Sequence, residues 1–400
     1  MDADIFPLFL REIHEQPRAL SNTLAQYLGP NYFLKMFRPP LDDLGLKKIN
    51  KVYLTACGSS FNAASTARYL IEELAEIPTV VEQASECGQH QLLVDNGTLA
   101  VAVSQSGRSR ETLDALQLAK IKGAVTLALV NDNDSPLAKE AQGCITTLAG
   151  RVLTPSSIKA FTSQSLVLGL MAFRLAQARG MHRLTFREEI QTLELLSETV
   201  RKAISQCEPQ IKLLAQKLQE YEHLFILASG HLLPMVYEGA LKLKEVAKFH
   251  AEGYSSGEFG HGPLAMASPQ TPIILLAFHE DSDVPSSNID LAMALKSRGV
   301  PLFLVTEDGP RKNLELLALA DSAIFLPLVP PRLRPQVAII PLQLLACHLG
   351  ILKGLDVDNP EGLLHGRHFW DTQESQVKVK IARGSSLHPF ATQGNYQRKF

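Results

Sequence analysis

The sequence predicts an α/β protein of two doubly wound units in tandem, each built on a parallel sheet. Three observations carry that expectation. The first is a repeat: KVYLTACGSSFNAASTARYLIEEL (51–74) and HLFILASGHLLPMVYEGALKLKEV (223–246) follow one pattern, and their separation of roughly 170 residues marks a duplicated unit. In each copy an apolar run stops at Gly58 or Gly230, and helical periodicity follows at once. The second is that the remainder repeats as well. TLAVAVSQSG (98–107), a helix to Gly123 and AVTLALVND (124–132) are matched by TPIILLAFHE (271–280), a helix to Gly299 and VPLFLVTED (300–308). Strands alternating with helices in this way make doubly wound sheets. The third is composition: 400 residues, 46% hydrophobic and 20% charged, suffice for about two domains with sizeable cores.

Taken in order, residues 1–30 read as one or two amphipathic helices leading into the first unit, 31–182. Residues 183–221 carry apolar positions every three or four residues and are expected to form a helical connector rather than a flexible linker. The second unit, 222–366, ends with the helix PLQLLACHLGILKGL (341–355). The tail, 367–400, is basic and polar without a usable period, and is expected to be mobile or to lie over a neighbour's surface. A net charge of -2 argues against nucleic acid or an anionic membrane as partner. Cys57, Cys87, Cys144, Cys207 and Cys347 are scattered without CxxC or Cys/His metal spacing, which suits a reduced cytoplasm and implies no disulfide framework. Asp2 and Asp4 stand where a signal peptide would carry Lys or Arg, and no run approaches the ~18 uninterrupted apolar residues of a membrane span.

The turns at Gly58 and Gly230 aim backbone N–H groups and a helix dipole at whatever sits above them, an arrangement suited to an anion such as phosphate. Hydroxyls gather nearby. Ser59 and Ser60 follow Gly58; Ser104, Ser106 and Ser109 sit in SQSGRS (104–109); Ser156, Ser157 and Thr162 sit in TPSSIKAFTSQ (154–164). In doubly wound sheets such loops lie at the carboxyl ends of strands, where ligands bind. Any one serine could equally be an N-cap, but SQSGRS with its glycine points to a ligand. At ~100° per residue, Glu238, Lys242 and Glu245 share one narrow helix face. Two carboxylates flanking an ammonium make a proton-transfer array; the plainer alternative is a solvated i,i+4 pair. The continuation SSGEFGHGP (255–263) favours the array, because His261 between two glycines is no core residue, whereas His250 reads as structural. No HExxH or equivalent spacing calls for a metal, and no cofactor is expected.

Together ACGSS (56–60), SQSGRS (104–109), KAFTSQ (159–164), EGALKLKE (238–245), HAEGYSSGEFGHGP (250–263) and DVDNP (356–360) resemble the tandem sugar-isomerase (SIS) domains. These flavodoxin-like domains form the isomerase half of glucosamine 6-phosphate synthase and its shorter relatives, the SIS-type glucosamine-6-phosphate deaminases and Amadori-product deglycases. The resemblance implies that Ser59, Ser60, Ser104, Gln105, Ser106 and Ser109 hold a sugar phosphate, and that Gly58, Ser157, Glu238 and His365 lie against the sugar. It implies that Glu245 moves a proton between C1 and C2 with help from Lys242, and that His261, lent by the partner of a homodimer, opens the ring. The expected partner is a phosphorylated amino sugar. Three departures bear on the reaction. The pattern starts almost at residue 1, with Asp2 and no preceding glutaminase domain, which favours deamination over synthesis. His365 stands where the synthase pattern has a lysine, and Arg108 follows the glycine of SQSGRS as in the deaminase and deglycase branches. The expected function is therefore an isomerising deaminase of glucosamine 6-phosphate or a close analogue. The alternatives are a deglycase of a phosphorylated Amadori adduct, an ammonia-dependent synthase and a sugar-phosphate sensor.

Overall fold

The computed structural model describes residues 6–29, 34–36, 43–278, 285–309 and 314–363. Helix α1 (Leu8–Tyr27) and the short α2 (Asp43–Lys47) precede the first copy. There β1 (Lys51–Ala56), α3 (Gly58–Ala75), β2 (Thr79–Gln83), β3 (Thr98–Val103), α4 (Arg110–Ile121), β4 (Val125–Val130), α5 (Pro136–Glu140) and β5 (Gly143–Thr146) follow in turn, and α6 (Lys159–Ala178) closes the unit. Helices α7 (Arg183–Glu194) and α8 (Leu196–Leu218) lead to the second copy. It comprises β6 (His223–Ala228), α9 (Leu233–Ala247), β7 (His250–Ser255), α10 (Ser256–Phe259), β8 (Ile273–Leu276), α11 (Pro285–Ser297), β9 (Leu302–Asp308), α12 (Leu314–Leu319), β10 (Ser322–Pro327) and α13 (Arg334–Leu352). Both sheets are wholly parallel. Their strand orders, β2-β1-β3-β4-β5 and β7-β6-β8-β9-β10, are one topology twice, the flavodoxin-like order in which the first strand lies between the second and third. The expected fold class is thus borne out.

Helices cover both faces of each sheet, so the central strands read as continuous apolar runs: TLAVAV of β3 is buried at every position. One apolar cluster runs from α1, α3 and α6 through α8 to α9 and α13. Two glycines let α9 and α13 pack closely, one against a side chain and one against backbone. A Cβ on Gly239 would lie 2.4 Å from Leu342 Cδ1, and one on Gly350 would lie 3.0 Å from the Val246 carbonyl.

Several expectations change here. The connector is helical, and it also belongs to the core, because Val200, Ile204, Cys207, Ile211 and Leu214 form a buried stripe of α8, which packs on α13. The last helix begins at Arg334, not 341, with Pro341 in its interior. Proline forfeits one helical hydrogen bond, but the residues from Pro335 to Gly350 are all buried, and that packing keeps the helix going. The segment Pro331–Leu352 is long and apolar enough to cross a membrane, yet 89% of its most apolar 18-residue window is buried inside the fold, as befits a core helix. His250 is exposed at the start of β7, not part of the core. His365 and the tail 367–400 lie outside the described residues.

Candidate functional site

The array on α9 forms as its spacing predicts, but inside the protein rather than on its surface. Lys242 and Glu238 are completely buried, and Lys242 Nζ reaches both carboxylates, 2.5 Å to Glu245 Oε2 and 3.5 Å to Glu238 Oε1. A third partner is the backbone carbonyl of Ser156, which accepts from Nζ at 2.7 Å. Burial alone would lower the lysine's pKa, but the two carboxylates outweigh it and hold the ammonium above its usual range. Burial pushes the Glu238 carboxyl up, and Lys242, Asn62 and Ser59 offset this only in part. An ammonium this deep survives because Lys242 is met on three sides, by two carboxylates and a carbonyl. Of the three array residues, only Glu245 is partly accessible, with 17% of its side chain exposed.

Glu238 therefore does not lie against a sugar as expected. Asn62 of α3 donates to its Oε2 at 2.8 Å. Glu238 thus joins the two copies and backs the lysine. Ser59, expected on a phosphate, is buried, whereas Ser60, one position on, is half-buried. Thr162, another hydroxyl of the strand-end set, is also structural, donating to Gln16 of α1. Asn62 carried no functional reading from sequence. The signal was a polar residue on the buried side of a helix otherwise lined there by Ala63, Ala64, Ala67 and Leu70.

The SQSGRS loop follows β3 and is organised as an open cup. Ser104 Oγ accepts from the Gly107 N–H at 3.1 Å and lies 3.3 Å from Ser109 Oγ, and Ser106 Oγ accepts from the Arg108 N–H at 3.2 Å. Gly107 has φ +62°, and a Cβ there would stand 2.1 Å from Ser135 Oγ, so no other residue fits. The Gln105 carbonyl accepts from the Asn131 N–H, which ties the loop to the next strand end. Arg108 points away to an exposed pair with Asp132 at 2.9 Å. Ser157 sits in the left-handed region at φ +45°, directly after the carbonyl that Lys242 holds. Strain of this kind in a non-glycine residue concentrates at functional sites.

Beside Gly58 and Asn62 a cavity of about 600 Å³ opens between α3, α9 and β7, lined also by Phe61, Tyr237, Lys244 and Tyr254. The matching turn of the second copy, at Gly230, borders a cavity of about 540 Å³ of different character, lined by Glu73, Glu188, Glu189, His231 and Arg332. Its lining carries three carboxylates, where the first copy's cavity has only Glu252. His261 is exposed on the turn after α10, its N–H bonded to the Glu258 carbonyl at 2.9 Å. No hydrogen bond or ion pair joins it to Glu238, Lys242 or Glu245.

Two flavodoxin-like units with a hydroxyl cup at one strand end and a buried carboxylate–lysine array define a ligand-binding α/β protein of duplicated design. Residues 45–174 and 217–352 each match the SIS domain, and the chain belongs to the SIS-domain family. The glutamine--fructose-6-phosphate aminotransferase (isomerizing) of Bradyrhizobium diazoefficiens is 36% identical over 358 residues, 88% of this chain and 57% of that protein. The enzyme of the same name from Corynebacterium diphtheriae is 33% identical over 359 residues, 88% of this chain and 56% of its own length. The chain thus spans somewhat more than half of these relatives. Among solved structures, the C-terminal domain of glucosamine-fructose-6-phosphate aminotransferase from Francisella tularensis superposes with a TM-score of 0.83 at 31% identity, over 89% of this chain and 99% of that one. Glucosamine-6-phosphate deaminase from Thermotoga maritima shares the fold, with a TM-score of 0.68 at 23% identity over 89% of this chain and 98% of that one.

Proposed function

We propose that this protein is a sugar-phosphate isomerase that acts as a deaminase, converting glucosamine 6-phosphate or a close analogue to fructose 6-phosphate and ammonia. The observation that carries the reading is the array on α9, in which a buried cationic lysine presents one accessible carboxylate, Glu245. In this scheme Ser60 and the Ser104–Ser109 cup hold the phosphate, and Ser157 meets the sugar. His261 of a second copy opens the ring. Glu245 takes the proton from C2 of the open aldose, giving an enolamine, and returns it to C1. Water then adds to the resulting C2 imine and ammonia leaves. Lys242 stays protonated and steadies Glu245 in its charged form. Acid–base catalysis of this kind is worth roughly 10²–10⁴-fold in rate. Glu245→Gln is accordingly expected to lose at least about a hundredfold in kcat while binding glucose 6-phosphate within about threefold of wild type. Near-normal turnover by that variant would remove Glu245 from the proton path.

The names of these relatives favour a second direction, amination of fructose 6-phosphate. The same C1–C2 proton shuttle serves both. Ammonia released from glucosamine 6-phosphate, set against glucosamine 6-phosphate formed from fructose 6-phosphate with ammonium or with glutamine, separates the two.

A further inference from the structure

Glu12 of α1 is completely buried and lies far from Lys242 in sequence, yet its carboxylate is spent on the loop that supplies the lysine's third partner. Its Oε1 accepts the Leu153 N–H at 2.5 Å, and its Oε2 accepts the Thr154 hydroxyl at 3.2 Å. Lys159, at the start of α6, approaches Glu12 Oε1 at 3.6 Å and Glu15 Oε2 at 2.5 Å with only 4% of its side chain accessible. The two carboxylates of α1 therefore clamp both ends of the segment 153–159. Between those ends stand Ser156, whose carbonyl holds Lys242 Nζ at 2.7 Å, and Ser157 with its strained backbone. A buried carboxylate is costly unless fully engaged, and here every contact of Glu12 runs to this segment.

We infer that Glu12 is a positioning residue: through the 153–159 segment it sets where the Ser156 carbonyl holds Lys242, and hence where Lys242 holds Glu245. The chain of contacts is continuous, from α1 through the loop to α9. The loop's own geometry supplies the need for a clamp, since Leu148, Gly150 and Ser157 all have positive φ. Its first half is held differently, by Asn131, which accepts from Thr147 Oγ1 and the Ala149 N–H and donates to the Gly150 carbonyl.

This inference rests on the proton-transfer reading of Lys242 and Glu245, and its test separates the two. Glu12→Ala, Glu12→Gln and Tyr27→Phe are compared for kcat on glucosamine 6-phosphate, calorimetric affinity for inorganic phosphate, melting temperature and backbone hydrogen exchange across 153–159. Tyr27 is a control on the same helix, since its hydroxyl bonds Thr146 of β5 and not the segment. Glu12→Ala is expected to lose about a hundredfold in kcat, the scale of a misplacement of about 1 Å. It should keep phosphate affinity within about threefold and expose 153–159 to faster exchange. Glu12→Gln, which retains an oxygen for the Leu153 N–H, should recover part of the loss and decides the matter if the alanine variant fails to fold. Tyr27→Phe should lower the melting temperature and leave kcat unchanged. Slow exchange of 153–159 in the Glu12 variants, or an equal loss of kcat in Tyr27→Phe, would overturn the positioning role. A wild-type protein inactive on every amino-sugar phosphate would remove the proposed function instead, and the exchange comparison would still decide what Glu12 holds.

Discussion

Ser157 shows how much a single backbone angle carries at this site. Its φ of +45° costs an L-residue roughly 1–2 kcal/mol, whereas glycine would take the conformation freely at an entropic cost of roughly 0.5–1 kcal/mol. Ser157→Gly is therefore expected to be neutral to stabilising by up to about 1 kcal/mol in denaturant unfolding, while kcat/KM for the sugar phosphate falls about tenfold or more. Loss of stability with activity intact would make the hydroxyl structural. Among single residues, the face shared by Glu238, Lys242 and Glu245 was legible because helical geometry alone places them together. The separate fates of Ser59, Ser60 and Thr162 were not. A hydroxyl looks the same in sequence whether it meets a ligand, is buried as in Ser59 or donates to Gln16 as in Thr162, and what surrounds it comes from distant segments.

At the scale of elements, α1, α8 and α13 meet around a second titratable cluster. His348 of α13 lies 3.4 Å from Glu208 Oε1, and His14 of α1 lies 3.2 Å from Glu208 Oε2. Lys212 shares the carboxylate at 2.9 Å. Burial opposes ionisation of Glu208, but Lys212 and the two histidines outweigh it and hold its pKa down. Burial lowers the His348 pKa below 6.5, with Lys212 and His14 adding to the effect and Glu208 opposing it. The unfolded chain thus binds a proton at His348 before the folded one does, so stability is lost as pH falls below 6.5. The melting temperature should drop between about pH 7.5 and about pH 5.5, and His348→Gln should flatten that slope whatever it does to the absolute value. Parallel slopes would show that His348 does not titrate in this window. The central strands and long helices were visible as apolar runs and 3.6-residue periods. The short strands β2, β5, β7 and β10 escaped notice, since edge positions place few side chains in the core: β7 buries only Ala251.

For the whole molecule, the site as it stands in one chain has an accessible base and an exposed histidine with no contact between them. The proposed homodimer closes that gap, and it makes a specific prediction. His261→Ala and Glu245→Gln should each be inactive alone, while dimers exchanged from a mixture of the two should regain part of the wild-type rate, because one site then holds both intact groups. A mixture as inactive as its components, with exchange demonstrated, would place His261 outside the partner's site.

By itself the sequence determined the duplication, the parallel α/β class, the strand-end turns at Gly58 and Gly230, and the carboxylate–lysine face of α9. All of these follow from local periodicity and from what glycine and helix geometry permit. Tertiary structure decided that Glu238 and Ser59 are buried and that α1 reaches the loop holding Lys242. Those outcomes depend on which buried polar groups find one another across the fold. A buried charge such as Lys242 is stable only where Glu238 and Glu245 of its own helix and the Ser156 carbonyl of a distant loop converge on it.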